Sequence, residues 1–331
     1  MNAESVSAGS SAAGFTLTDL TGDRIPAVVR LCRTALDLPD DSAEAAQIVA
    51  RLRDDSPLPG AAGPRRTVGV AAERDGALAG VALGSMADLD PDPAVGHVDL
   101  VAVHPDLRRR GIGRALVSRL EQALGRLGAA QVRIAGNPPH YAWPGIDVRY
   151  TPAVCTALAL GYAPDGTAWN MTADLSTGSS PALRSTEAAE QRLADQGVTV
   201  RRAEPADVAM LTRFARSTFG GSWDAELLHS IGREGAGCHL AVRTATADGT
   251  PELLGFAAYG SSRPSWFGPM GTAPAAQGMG IGGVLLRRCL RDQRAAGHLR
   301  AEIGWVGPVP FYAASAGARI ERVFFLYRKR L

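Results

Sequence analysis

The chain has 331 residues, a length typical of two domains of ordinary size. Hydrophobic residues make up 46% and charged residues 21%, the composition of a globular protein with a buried core. A formal net charge of +2 argues against a nucleic-acid-binding or membrane-binding surface.

Residues 1–13 are small and mostly polar, so we predict a disordered N-terminus rather than a signal peptide. No apolar run is long enough to span a bilayer, and we expect a cytoplasmic protein. The four cysteines have no metal-type spacing, which predicts reduced thiols and no metal site: Cys32, Cys155, Cys238 and Cys289.

The two halves of the chain begin alike. A short apolar strand precedes an acid-containing turn and an amphipathic helix, at Phe15–Leu17 before Asp23 and again at Val198–Val200 before Asp207. Each half then continues with strand-type segments, predicted at Thr67–Ala72, Leu78–Ser85 and Gly96–Val103, and at His239–Thr244, Leu253–Tyr259 and Trp266–Thr272.

A glycine-rich turn follows the last of these strands in both halves. The first glycine loop is Arg108-x-x-Gly111-x-Gly113, and the second is Gln277-x-x-Gly280-x-Gly282. The corresponding positions are separated by the same number of residues throughout, which indicates an internal repeat.

Each glycine loop opens a run with helical spacing. The apolar positions are Ile112, Leu116, Leu120, Leu124 and Leu127 in the first copy, and Ile281, Leu285 and Cys289 in the second. Gly128 and Gly297 are suited to helix C-termini, and strands are predicted to follow at Gln131–Ala135 and Leu299–Trp305. We predict an N-terminal domain at 14–176, a linker with a short helix at 177–197, and a C-terminal domain at 198–331.

A strand-to-helix junction rich in glycine favours anion binding. It offers unpaired backbone N–H groups and roughly half a positive charge from the helix dipole. Glycines allow the main chain to approach a ligand closely, so a pyrophosphate can be held without any lysine. One such motif is a weak signal, whereas two in register are a strong one.

With these motifs the chain resembles the GNAT superfamily of acetyl-CoA-dependent N-acetyltransferases, in two tandem copies. The resemblance implies an α/β (α+β) fold with two domains, each a mixed, mostly antiparallel twisted sheet flanked by helices, with one pair of splayed strands. It also implies acetyl-CoA as the cofactor, with its pantetheine arm between the splayed strands. The residues implied to bind the coenzyme are Met270, Gly271, Thr272, Gln277, Gly278, Met279, Gly280, Ile281, Gly282, Gly283, Val101, Ala102, Val103, Arg108, Arg109, Arg110, Gly111, Ile112, Gly113 and Arg114.

A dinucleotide-binding fingerprint is the alternative interpretation of the second loop, because Glu302 lies about twenty residues downstream. That loop lies deep within its domain rather than after a first strand, and Arg133 stands at the same register in the first copy. Both observations favour the acetyltransferase interpretation.

The resemblance implies a tyrosine general acid just before a glycine on a late helix. The second copy has Tyr312 there, before Gly317, whereas the first copy has no hydroxyl acid at that register. Packing of the Tyr312 ring in a core is the alternative. His97 and Glu302 are candidates for the general base. The tyrosine favours the second copy as the catalytic one.

The first copy carries an additional aromatic, proline-rich stretch at 137–147. Such a loop is suited to stacking on a flat ligand, and a packed interdomain loop is the equal alternative. The candidate substrate-contacting residues are Tyr141, Trp143, Asp147, Trp266 and Trp305.

The second copy is similar to tandem bacterial members that act on amino sugars or aminoglycoside-type antibiotics. We therefore expect direct acetyl transfer to a primary amine of a small molecule, with antibiotic self-resistance as one role. Two alternatives stay open: a non-catalytic acyl-CoA sensor, and an acetyltransferase resembling mycothiol synthase. We expect no nucleic-acid or membrane partner, and homodimer formation stays open.

Overall fold

The structure is a computed structural model that describes residues 14–56, 65–86, 95–244 and 251–331. The chain divides into two units. Unit 1 comprises the residues up to Thr167 together with Phe324–Leu331, and unit 2 comprises Ala168–Val323. The N-terminal segment predicted to be disordered, 1–13, lies outside the described residues.

Unit 1 contains the elements of the first sequence copy. In chain order they are β1 (Thr16–Asp19), α1 (Ile25–Ala35), α2 (Pro39–Ala43), α3 (Ala45–Arg53), β2 (Thr67–Arg74), β3 (Ala77–Met86), β4 (Val95–Val103), α4 (Ile112–Arg126), β5 (Gln131–Ile134), β6 (Ile146–Asp147), α5 (Thr151–Ala159) and β7 (Ala163–Asp174), of which β7 continues into unit 2.

Unit 2 contains the elements of the second copy and a short connecting helix. They are α6 (Glu187–Ala194), β8 (Val198–Arg202), α7 (Val208–Phe219), α8 (Trp223–Leu228), β9 (Gly237–Arg243), β10 (Glu252–Tyr259), β11 (Trp266–Thr272), α9 (Ile281–Ala295), β12 (Arg300–Ile303), α10 (Val309–Ala316) and β13 (Arg319–Arg330), whose last residues belong to unit 1.

Each unit contains a mixed sheet, and the two sheets have equivalent strand orders. Neighbouring strands run β1-β2-β3-β4-β5-β13 in unit 1 and β7-β12-β11-β10-β9-β8 in unit 2. The pairs are antiparallel except β4 with β5 and β11 with β12, which are parallel. The predicted fold class, a mixed and mostly antiparallel sheet flanked by helices in each copy, is confirmed.

The last strand of each sequence copy completes the sheet of the other unit. In unit 2, β7 pairs with β12, with Ala173 opposite Ala301. In unit 1, the end of β13 pairs with β5, with Lys329 opposite Val132. The units therefore divide the chain differently from the domain boundaries near residue 180, which stay a prediction.

The unit 1 sheet holds this terminal segment with polar contacts as well as the strand ladder. The Lys329 ammonium donates to the Glu121 carboxylate at 2.8 Å and lies 5.4 Å from the centre of the Tyr162 ring. The Leu331 N–H donates to the Ala130 carbonyl oxygen at 3.0 Å.

The apolar stripes predicted after the glycine loops are buried where the helices exist. Ile112, Leu116, Leu120 and Leu124 are at most 2% exposed, as are Ile281, Leu285 and Cys289. Leu127 is 38% exposed, because α4 ends at Arg126 and the predicted stripe runs past that end. Gly128 and Gly297 follow the two helix ends with positive φ, as predicted.

Three of the four cysteines are buried, while Cys155 is exposed. Burial raises the pKa of Cys32 to about 12, so this thiol stays protonated near neutral pH. Among the helices in the described ranges, none combines the length and apolar character needed to cross a bilayer.

Candidate active site

In each sheet, two neighbouring parallel strands separate beside the glycine loop. In unit 2, β11 pairs with β12 only at Trp266 and Phe267, so the rest of β11 has no described neighbour on that side. In unit 1, β4 pairs with β5 only from Val95 to His97. The predicted coenzyme-contacting strand residues lie beyond these pairs: Met270, Gly271 and Thr272 in β11, and Val101, Ala102 and Val103 in β4.

The two glycine loops have equivalent backbone geometry. Gly111 and Gly280 have φ values of 82° and 87°, and each stands immediately before its helix. Two positions earlier, Arg109 and Gly278 also have positive φ, 64° and 86°. Arginine in this conformation is strained by roughly 1–2 kcal/mol. The first loop therefore has the same shape as the second, although arginine stands where the second loop has glycine.

Both loops present a row of free donors. Within the described residues, the N–H groups of 109–114 and 278–283 have no hydrogen-bond acceptor. Helix N-termini carry a partial positive charge and leave their first N–H groups unpaired. The arrangement suits a doubly charged phosphate group at each loop.

The charged side chains differ between the loops. Arg108 donates to both carboxylate oxygens of Asp37, at 3.1 and 3.0 Å, and to the Ala35 carbonyl oxygen at 2.8 Å. This guanidinium therefore ties the first loop to the end of α1. The side chains left facing solvent there are Arg109, Arg110 and Arg114.

The second loop has no cation of its own between Gln277 and Gly283, but α9 supplies one. A guanidinium nitrogen of Arg287 donates to the Gly283 carbonyl oxygen at 3.2 Å and lies 3.3 Å from the point where a Cβ on Gly283 would be. Burial, with the nearby Arg184 and Arg291, lowers the pKa of Arg287. No described acid is paired with Arg184 or Arg287, so positive charge accumulates beside the first turn of α9.

Tyr312 lies on α10 in the core of unit 2. Its ring makes edge contacts with Phe311 and Phe267, at centroid distances of 5.0 and 6.1 Å. No described residue hydrogen-bonds its hydroxyl. Burial raises the pKa of Tyr312, which keeps the hydroxyl protonated and makes it a weaker proton donor than a solvated tyrosine.

Glu302, on β12, is held in a buried polar cluster. Its carboxylate lies 3.3 Å from a guanidinium nitrogen of Arg322, and the two side chains are 8% and 7% exposed. The Asn170 amide donates to the same carboxylate, while the Asn170 carbonyl oxygen accepts from the Trp305 N–H at 2.8 Å. Glu302 is therefore a buried, paired charge rather than one that faces solvent.

His97, the other candidate base, belongs to unit 1, whereas Tyr312 and Glu302 belong to unit 2. The His97 ring is 5% exposed, and its Nδ1 lies 3.0 Å from the Ala135 carbonyl oxygen. A carbonyl oxygen only accepts, so Nδ1 carries the hydrogen in that contact.

Sequence reasoning missed Asp99, two residues after His97 on β4. Its side chain is 2% exposed, accepts from the Ser85 hydroxyl at 2.7 Å and lies 3.6 Å from Arg65. Burial raises the pKa of Asp99 to about 6, although Arg65 and Ser85 act in the opposite direction. The available signal was a single acid between the apolar residues Val98 and Leu100.

The predicted substrate residues of unit 1 lie inside it. Tyr141 is 8% exposed, and Trp143 packs on the apolar cluster that α1 and α3 form with the sheet. Asp147 is 1% exposed and paired with Arg149 at 2.7 Å. In unit 2, Trp266 is 3% exposed, with its ring under Gly304. Trp305 is 39% exposed at the end of β12, with a φ of 47°.

Comparison with known families identifies the first copy. Residues 36–141 match the sequence model of the acetyltransferase (GNAT) family. The chain contains a GNAT acetyltransferase domain. This match supports an acyltransferase as the enzyme class. A search of curated proteins gives no match.

Solved structures extend the GNAT fold over both units. A glucosamine N-acetyltransferase region of a fungal multi-domain GH3 β-N-acetylglucosaminidase is 15% identical, with a TM-score of 0.71, over 95% of this chain and 38% of that one. A tandem GNAT protein from the clavulanic acid biosynthesis pathway is 15% identical, with a TM-score of 0.67, over 96% and 98%. A GCN5-related N-acetyltransferase from Sphaerobacter thermophilus is 22% identical, with a TM-score of 0.61, over 96% and 95%.

Proposed function

We propose that the chain is an acetyl-CoA-dependent N-acetyltransferase acting on a primary amine of a small molecule, most specifically an amino sugar or aminoglycoside-type antibiotic. The observation that carries the proposal is the pair of strand-to-helix turns with unsatisfied N–H groups, each beside an open strand edge. Acetyl-CoA combines a pyrophosphate with an extended amide-bearing arm, which are the groups that such donors and such an edge can bind.

The proposed catalytic unit is unit 2. The backbone N–H groups of 278–283 would bind the pyrophosphate. The strand residues Met270, Gly271 and Thr272 would hold the pantetheine arm of the coenzyme. The free amine then attacks the thioester carbonyl carbon, the C–S bond breaks, and the thiolate takes a proton. Tyr312 is the proposed proton donor, because its hydroxyl has no described hydrogen-bond partner and its ring lies in the same apolar cluster as α9, the helix that follows the second glycine loop.

The amine must lose its proton before attack, since an amine like that of lysine has a pKa of about 10.4. Glu302 and His97 stay the proposed bases. For Glu302 this role requires release from Arg322, so proton transfer through water is the simpler route in unit 2.

Two neighbours inform the choice of acceptors. The fungal region is described as a glucosamine N-acetyltransferase, and the tandem protein belongs to an antibiotic pathway. At 15% identity both support the fold alone, so glucosamine and an aminoglycoside are starting compounds for the assay.

The test is thiol release from acetyl-CoA over a panel of primary amines, combined with calorimetry of coenzyme binding. Turnover with at least one amine is expected. Binding of coenzyme without thiol release for any amine would instead favour an acyl-CoA sensor. Turnover restricted to a cysteinyl pseudo-disaccharide would favour an enzyme resembling mycothiol synthase.

A further inference from the structure

The two faces of the unit 2 sheet pack against different helices. The side chains of β10 face both ways, with a register shift between Leu253 and Gly255: Leu254 and Ala257 lie in the core beneath α9, while Leu253 and Phe256 lie in the core beneath α7 and α8. The glycine loop stands at the start of α9. A thioester that passes from this loop through the gap between β11 and β12 therefore emerges on the face covered by α7 and α8.

Two aromatic residues occupy that face at the gap. The tip of the Phe219 ring, at the end of α7, comes within 2.4 Å of the point where a Cβ on Gly271 would be. Only glycine at 271 leaves room for this ring. Trp223, at the start of α8, makes a tilted ring contact with Phe219, at a centroid distance of 5.1 Å and an interplanar angle of 38°. We call these two residues the aromatic wall.

The aromatic wall differs from the phenylalanine beneath it in being partly accessible. Phe256 is fully buried beneath it and meets both rings edge-on, at 5.9 and 6.1 Å. Phe219 and Trp223 are only partly buried. The buried Phe256 ring therefore supports both residues from beneath, while part of the Phe219 ring and part of the Trp223 ring stay accessible to a ligand.

We propose that the aromatic wall is the apolar side of the acceptor site and selects primary amines carried on a saturated ring with an apolar face. This inference rests on the proposed function. An aromatic pair at the strand gap buries the apolar face of a ring beside the thioester. It also attracts an ammonium group, the form in which an amine of pKa about 10 arrives near neutral pH.

The experiment compares kcat/KM for glucosamine with that for ethanolamine, an amine with no ring. Wild type is expected to prefer glucosamine, and Trp223→Ala to lower that preference about tenfold through a higher acceptor KM. Phe219→Leu is expected to act in the same direction. The KM for acetyl-CoA is expected to stay unchanged in both variants.

Phe214→Leu is the matched control, because Phe214 contacts Phe219 and Phe256 at 5.8 and 6.1 Å within the same cluster, whereas the atoms nearest to the Cβ position of Gly271 all belong to Phe219. An unchanged preference in folded Trp223→Ala would overturn the proposal. If Phe219→Leu fails to fold, Trp223→Ala and Trp223→Phe still decide it. If wild type released no thiol with any amine, the proposed acetyltransferase function would be contradicted, and the proposed acceptor site would be contradicted with it.

Discussion

Glu302 and Arg322 form an ion pair in the interior of unit 2, with 3.3 Å between the carboxylate and the guanidinium. A charge buried in this way is costly to leave alone, since desolvation is no longer offset by its partner. The pair therefore makes Glu302 primarily a residue that stabilises the end of β12. Its candidacy as a base can be tested separately from that role.

Glu302→Gln is expected to lower the free energy of unfolding by about 3–5 kcal/mol, because the buried Arg322 guanidinium loses the carboxylate that lies 3.3 Å from it. Urea denaturation measures this. Glu321→Gln is the control, since Glu321 is 37% exposed and its arginine partners are 3.9 Å away, so a change below about 1 kcal/mol is expected. Wild-type stability in Glu302→Gln together with a hundredfold loss of kcat would identify a base instead.

Tyr312→Phe is expected to lower kcat about 10²- to 10⁴-fold with little change in the KM for acetyl-CoA, the contribution typical of a general acid. Because burial raises the pKa of Tyr312, its hydroxyl stays protonated below about pH 10, and the ratio of wild-type to variant kcat should be constant from about pH 6 to 9. Steady-state kinetics across that range provides the measurement.

The control is Tyr259→Phe, which removes a buried hydroxyl that contacts Arg202 and Asp292 in the same unit. It is expected to change stability but not kcat. Full turnover in Tyr312→Phe would show that another group or water protonates the thiolate.

Arg287→Gln is expected to weaken coenzyme A binding about ten- to hundredfold, the effect of losing one charge-assisted hydrogen bond. The guanidinium lies beside Gly283, where the proposed phosphate would sit. Isothermal titration calorimetry at two salt concentrations tests this, with Arg213→Gln on α7 as a control of equal charge change. Equal affinity in the two variants would remove Arg287 from the phosphate site.

Asp99→Asn is expected to change how stability depends on pH. The fold raises the pKa of Asp99 from 3.8 to about 6, so the native state holds this proton more tightly than the unfolded chain. The resulting stabilisation is complete below about pH 4 and is lost as the pH rises through 6. Relative to Asp99→Asn, wild type should lose about 2.5 kcal/mol of unfolding free energy between about pH 4 and pH 7.

Urea denaturation of both proteins at several pH values gives this difference. Ser85→Ala is a useful companion, because it removes a hydrogen bond that favours the ionised carboxylate and should move the transition to higher pH. A difference between wild type and Asp99→Asn that does not vary with pH would show that Asp99 keeps an ordinary pKa.

The repeated architecture could be predicted from the sequence because its signals are local. A positive φ before a helix demands glycine or carries strain, so Gly111 and Gly280 mark both loops in the chain itself. The alternation of apolar residues likewise gave the strands that flank each loop, and β11 begins and ends where predicted.

Non-local contacts could not be predicted in the same way. Glu302 meets Arg322 only because β12 and β13 enter the same unit, and nothing near Glu302 in sequence announces that partner. Tyr141 and Trp143 have the composition of a ligand-binding loop, yet tertiary packing buries Tyr141 and partly buries Trp143. The left-handed backbone at Arg109 could not be predicted from the sequence, because arginine, unlike glycine, does not indicate that conformation.

The crossing-over of terminal strands has a consequence for biosynthesis. The sheet of unit 1 needs Phe324–Leu331, which are synthesised after the whole of unit 2, and Lys329 binds Glu121 there. Although domains generally fold in order of their emergence from the ribosome, unit 1 cannot complete its sheet until these residues have been made. Until then the free edge of β5 can pair wrongly with another strand, so completion of unit 1 depends on synthesis of unit 2.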